Sequence, residues 1–189
     1  MSETEQKDVK RQFHMKFFLK AILIILVVIV VRTYIFGTVG VKGSSMEPTF
    51  YHGDFVLVNK LSYLLGNPKK NDIAICRVDS GSSKENLIKR VIGLPGDEIA
   101  FVLNEDNYDL EYFLYINGTL QKETYLKEVM QQPGDINYPY IVPENSYFVM
   151  GDNRNVSTDS RAKSIGAIEK KQMIGKVAMK IYPFGKGEQ

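Results

Sequence analysis

Gly43-Ser44-Ser45-Met46-Glu47-Pro48-Thr49 reads as a short, rigidly turned segment that ends a strand and presents a hydroxyl. Gly43 permits close approach of another chain. Pro48 fixes its own φ and pushes Glu47 towards an extended conformation. A serine held in such a turn becomes a nucleophile only if a base lies within hydrogen-bond reach. Without one, the segment is an ordinary Ser-rich turn.

Before it, residues 1–16 are polar and carry Glu3, Glu5, Lys7, Asp8, Lys10, Arg11 and Lys16. They read as a short tail without core-forming material. Ala21 to Val31 is an unbroken apolar run, AILIILVVIVV, bracketed by Phe17-Phe18-Leu19 and Tyr34-Ile35-Phe36. Residues 17–36 give roughly 30 Å of helix, enough to cross a bilayer core. Lys20 and Arg32 near its ends can snorkel to headgroups. Basic residues cluster before the run, so the positive-inside rule puts the N-terminus in the cytoplasm and residues 37–189 outside the cell membrane. Two alternatives stand beside a retained single-pass anchor. One is a cleaved signal peptide, with Thr38-Val39-Gly40 as its site, although Arg32 and the bulky Tyr34-Ile35-Phe36 argue against cleavage. The other is a buried helix of a soluble protein.

After the run the pattern changes to short strands between turn signals. Strands are expected at Thr38–Lys42, Phe55–Asn59, Asp72–Arg77, Leu87–Gly93, Glu98–Leu103, Tyr112–Ile116, from Thr119, at Tyr147–Met150 and at Lys176–Tyr182. Ser80–Lys84 reads as a loop, and Glu123–Pro143 as an irregular polar insertion. Asn117-Gly118 is the strongest short hairpin signal. Strands without long intervening helices predict a mainly β, antiparallel domain, either a sandwich or a coiled, barrel-like sheet.

The 189 residues carry a formal net charge of +2, too small for a nucleic-acid binder. The single cysteine, Cys76, rules out an intrachain disulfide and sits in the apolar Ile73-Ala74-Ile75-Cys76, where it reads as core. With one Cys and only His14 and His52, no metal site and no cofactor are expected.

His14 lies before the apolar run and His52 reads as a turn residue, so neither suits Ser45 as a base. A lysine can serve if burial lowers its pKa and leaves it neutral. Lys89 meets that need best, in the apolar strand Leu87-Ile88-Lys89-Arg90-Val91-Ile92. By period two, Leu87, Lys89 and Val91 share one face and Ile88, Arg90 and Ile92 the other. The bland alternative is a solvated or edge-protecting lysine. A third stretch, Gly151-Asp152-Asn153-Arg154-Asn155-Val156-Ser157-Thr158-Asp159-Ser160-Arg161, is dense in hydrogen-bonding and charged groups directly after an apolar strand. It reads as a polar surface loop, or as a shell that orients the lysine and braces the site through an Asp–Arg pair. Ser160-Arg161-Ala162-Lys163 matches the S-x-x-K of β-lactamases, but no companion motif accompanies it.

GSSMEPT (43–49), GDFVLV (53–58), KRVIGLPGD (89–97) and GDNRNVSTDSR (151–161), in this order behind an apolar segment, resemble the type I signal peptidases, most closely the Gram-positive form. The resemblance implies an all-β domain at the outer membrane face with a Ser-Lys dyad: Ser45 as nucleophile and Lys89 as general base. It implies that Ser157 hydrogen-bonds the lysine, that Asp159 and Arg161 brace the site, and that Val39, Val41 and Ile88 line pockets for small substrate side chains. Gly43 stands where some members place a serine that donates to the oxyanion, leaving the Ser45 N–H as donor. Asn155-Val156 replaces the Asp-Asn of many members. The implied partners are secretory preproteins, the lipid bilayer and a secretion translocon. A self-cleaving Ser-Lys repressor would need a DNA-binding module that residues 1–37 do not offer. A membrane-anchored binding module with inert Ser45 and Lys89 is the rival from outside enzymology.

Overall fold

A computed structural model describes residues 3–80, 83–104 and 110–182. Helix α1 (Glu3–Val30) continues into a wider π turn over Val31–Ile35. The helix begins well before position 17, because no Gly or Pro interrupts the chain from Glu3 to Val30 and most of the polar residues are good helix formers. His14–Ile35 is long and apolar enough to cross a membrane, and none of it is buried against the rest of the protein.

Eleven strands follow in the described residues: β1 (Phe36–Gly40), β2 (Phe55–Asn59), β3 (Ile73–Ser80), β4 (Ser83–Gly93), β5 (Glu98–Leu103), β6 (Tyr112–Ile116), β7 (Thr119–Leu120), β8 (Tyr140–Ile141), β9 (Ser146–Met150), β10 (Ile168–Glu169) and β11 (Met173–Tyr182). They form two antiparallel sheets, in the orders β1-β2-β11-β3-β4-β9-β10 and β7-β6-β5-β8. The all-β expectation holds, but neither sheet closes, so the barrel-like form is corrected to two open sheets.

Three differences from the sequence expectation have local causes. Val41 and Lys42 leave the β1 ladder, yet Val41 still donates to the Asp54 carbonyl at 2.7 Å and accepts from Gly53 at 3.0 Å. Pairing of β3 with β4 runs out to Ser80↔Ser83, which leaves only 81–82 of the expected Ser80–Lys84 loop, outside the described residues. Helix α2 (Leu61–Leu65) has five residues, too few to show a helical period in sequence.

The core has three parts. Ala74, Cys76, Val91, Val149 and Met173 pack in one cluster, and Ile92, Ile99, Leu114, Met130 and Phe148 between the sheets. Val41, Met46, Phe50, Val56, Val58 and Ile75 form a third cluster beneath the Ser45 turn. Met46 is only 1% exposed, so the residue after Ser45 anchors the turn in the core. Burying a Met contributes about 1.5–3 kcal/mol. Asn117, at φ 51°, and Gly118 turn the β6–β7 hairpin as expected.

Candidate active site

The register of β3 on β4 sets Lys89 opposite Ala74 and Ile88 opposite Ile75. Small and apolar partners leave the lysine no charge to pair with across the strand. Lys89 is only 3% exposed. Its Nζ lies 2.7 Å from Ser45 Oγ, across 44 residues of sequence. Burial holds the amine below its ordinary value, against the pull of the Asp159 carboxylate and with some help from Arg161. The neighbouring Cys76 is fully buried, and burial pushes its thiol up to about 12, so it contributes no charge near neutrality. An amine that burial pushes towards its neutral form, held against a hydroxyl, is a candidate base within reach of a candidate nucleophile.

The turn that carries Ser45 is held from two sides. Gly43 adopts φ +82°, a left-handed conformation that suits glycine, and its N–H donates to His52 Nδ1 at 3.2 Å. His52 thus acts on the turn through Gly43. On the other side, the Asn153 N–H donates to the Ser45 carbonyl at 3.0 Å, and Asn153 Nδ2 donates to the Ser44 carbonyl at 3.2 Å.

Under this turn lies a set of buried charge pairs. Arg161 Nε and Nη2 donate to the two Asp159 oxygens at 2.8 and 2.9 Å, and Asp159 also accepts the Gly151 N–H at 3.0 Å. Burial alone raises the Asp159 pKa, but the Arg161 and Gly151 bonds outweigh it and hold the carboxyl below the usual range. Arg161 reaches on to the Arg154 and Gln132 carbonyls. Asp159 and Arg161 therefore form the expected pair.

Ser157 departs from expectation. Its Oγ is buried and, among the described residues, it is the one buried side-chain oxygen without a hydrogen-bond partner. It lies close enough to Asp159 to favour the ionised carboxylate, without bonding geometry, and it makes no bond to Lys89. The expected Ser157–Lys89 hydrogen bond is corrected accordingly: the backbone around Gly151 packs Ser157 against that glycine.

Two further pairs were not legible in the sequence. Arg90 Nε and Nη2 bind Asp152 at 2.8 and 2.6 Å, Thr49 Oγ1 donates to the same carboxylate, and the guanidinium stacks over the Tyr125 ring at 3.9 Å. Arg154 makes a two-pronged pair with Glu123. The period-two placement of Arg90 opposite Lys89 was a partial signal for the first. Nothing local marked Glu123 and Tyr125, which the polar insertion brings back against the site.

Val39, Val41, Ser45, Ile88 and Lys89 line one cleft of about 620 Å³, together with Ile75, Lys42, Glu85 and Asn86. Gly43, Ser157, Asp159 and Arg161 do not line it. Among the described residues no cluster of His, Cys, Asp and Glu could hold a metal ion.

Residues 14–182 match the model of the family described as signal peptidase, peptidase S26. The signal peptidase I of Bacillus licheniformis is 36% identical over 190 residues, covering 96% of both chains. The signal peptidase I P of Bacillus subtilis subsp. natto is 36% identical over 185 residues, covering 94% of both. The signal peptidase IB of Staphylococcus aureus is 32% identical over 173 residues, covering 84% of both. The protein is thus a serine peptidase, a hydrolase. It belongs to the signal peptidase family, peptidase S26, and its place is in signal-peptide processing.

Proposed function

We propose that this chain cuts signal peptides from secretory preproteins with Ser45 as nucleophile and neutral Lys89 as general base. The observation that carries the reading is the 2.7 Å approach of a buried amine to the Ser45 hydroxyl. A precursor lies extended in the cleft between Val39–Lys42 and Glu85–Lys89, adding backbone hydrogen bonds as a strand would. The apolar walls at Val39, Val41 and Ile88 accept small side chains at −3 and −1 before the cut. Lys89 Nζ takes the Ser45 proton as Oγ bonds to the scissile carbonyl carbon. Backbone N–H groups at the Ser45 turn stabilise the oxyanion. The C–N bond then breaks, and the ammonium of Lys89 gives its proton to the leaving amine. Lys89 next activates a water that hydrolyses the acyl-enzyme and frees Ser45. Asp159 and Arg161 fix the loop behind Lys89, and Gly43 leaves the oxyanion side open.

The same reading takes 17–36 as the bilayer-crossing anchor, 1–16 as a cytoplasmic tail and 37–189 as the domain outside the membrane, near a translocon that delivers the precursor. The basic residues before the apolar run support that orientation. The test mixes detergent-solubilised protein with a precursor bearing an Ala-x-Ala site and maps the product by mass. A single cut after the last Ala, lost in Ser45→Ala, supports the reading. No cut by the wild-type protein, or a cut that survives in Ser45→Ala, rejects it.

A further inference from the structure

We propose that a second cavity, between the end of the apolar helix and the β-domain, binds the anionic headgroup of a phospholipid. The cavity measures about 650 Å³ and lies away from the Ser45 cleft. Thr33 and Tyr34, from the π turn that ends the helix, form one wall. Lys60, Lys170 and Lys171 also line it, against the single carboxylate of Glu169, with Tyr63, Met173 and Ile174 as apolar lining. Lys60 Nζ donates to the Thr33 carbonyl at 2.9 Å and so ties the domain to the helix end. Lys171 pairs with Glu169 at 2.7 Å, but both side chains are well exposed, so that pair holds little energy. Lys170 has no carboxylate partner among the described residues. The cavity therefore has an excess of positive charge.

Its rim identifies the occupant. Leu64 lines the cavity and is 67% exposed, and the next residue, Leu65, is 81% exposed. Tyr34, which also lines the cavity, is 61% exposed. Two adjacent exposed leucines of α2, the first sharing the cavity with the end of a bilayer-length helix, carry a solvation cost that acyl chains would remove. A tyrosine beside them suits the headgroup level. Lysines and exposed apolar side chains around one cavity fit a molecule with tails and an anionic head, which a free phosphate does not match. The inference rests on the helix crossing a membrane and not on the chemistry at Ser45.

The test uses the full chain in detergent micelles and counts bound lipid by native mass spectrometry. Phosphatidylglycerol is titrated against phosphatidylcholine, in the wild type, in Lys170→Gln/Lys171→Gln, and in Lys69→Gln/Lys163→Gln as a charge-matched control. The expected result is a preferred phosphatidylglycerol, weakened about thirtyfold in Lys170→Gln/Lys171→Gln, or ~1 kcal/mol for each lysine. The control pair keeps wild-type binding. Equal binding of both lipids, equal loss in both pairs, or full displacement by millimolar inorganic phosphate overturns the proposal. Precursor cleavage by the same samples in lipid-free detergent reports the Ser45 chemistry separately. Loss of cleavage with lipid binding intact counts against the peptidase reading alone.

Discussion

The Asn153 N–H donates to the Ser45 carbonyl at 3.0 Å, so the polar loop after β9 holds the backbone of the residue whose hydroxyl meets Lys89. Side chain and main chain of Ser45 are thus fixed by two different parts of the fold. A shift of either part misplaces the hydroxyl, and near-attack geometry tolerates little misplacement.

Lys89→Met tests the base directly. Met fills a similar volume, needs no partner and removes a desolvated amine. Cleavage of an Ala-x-Ala precursor is expected to fall by ~10²–10⁴-fold. Thermal unfolding should stay at or above the wild-type midpoint. Retained activity in this variant ends the Ser-Lys assignment.

The pH dependence follows from burial, which lowers the Lys89 pKa below its ordinary 10.5. Below the lowered value the amine is protonated and cannot act as base, so kcat/KM rises with pH through that value and then levels off. The stability effect has the same sign. Between the lowered value and 10.5 the unfolded chain binds a proton that the folded one does not, so stability rises with pH across that window. Below the window the full cost of burying the amine is present. Denaturant titrations of wild type and Lys89→Met across pH check this: their stability difference should narrow as pH rises.

Gly151 is packed so closely that an added Cβ would stand 2.5 Å from the Ser45 carbonyl oxygen and also collide with Ser157 Oγ. Backbone cannot yield as a flexible side chain can. Gly151→Ala is expected to cost ~1–3 kcal/mol of stability and to lower kcat more than it raises KM. An unchanged kcat would show that the Ser45 turn adapts.

Asp152→Asn removes one charge of the Arg90 pair, whose side chains are 11% and 1% exposed. Leaving Arg90 nearly buried without its counter-charge should cost ~3–5 kcal/mol. Arg90→Met in the same chain should restore part of that loss. Denaturant midpoints of the two single variants and the double variant give the coupling.

Ser157→Ala removes a buried hydroxyl that has no hydrogen-bond partner. Its deletion is expected to move the denaturation midpoint little, because losing its support of the Asp159 carboxylate and removing a buried polar group without a bond oppose each other. A clear fall in the midpoint would show that the hydroxyl is bonded in solution.

The sequence by itself determined the apolar helix, most of the strands, the Asn117-Gly118 hairpin, and Ser45 and Lys89 as a candidate pair. Each is written in a local pattern: an apolar run, a period of two, a turn dipeptide, or a short motif. Tertiary structure alone decided that Lys89 meets Ser45, that Arg90 closes on Asp152 across 62 residues, and that Glu123 and Tyr125 return to the site. It also left Ser157 Oγ without a bond and kept both sheets open. The reason is physical. Local patterns report which face of a strand is apolar. Which side chains then touch across the sheet depends on strand order and register, which no short stretch of the chain contains.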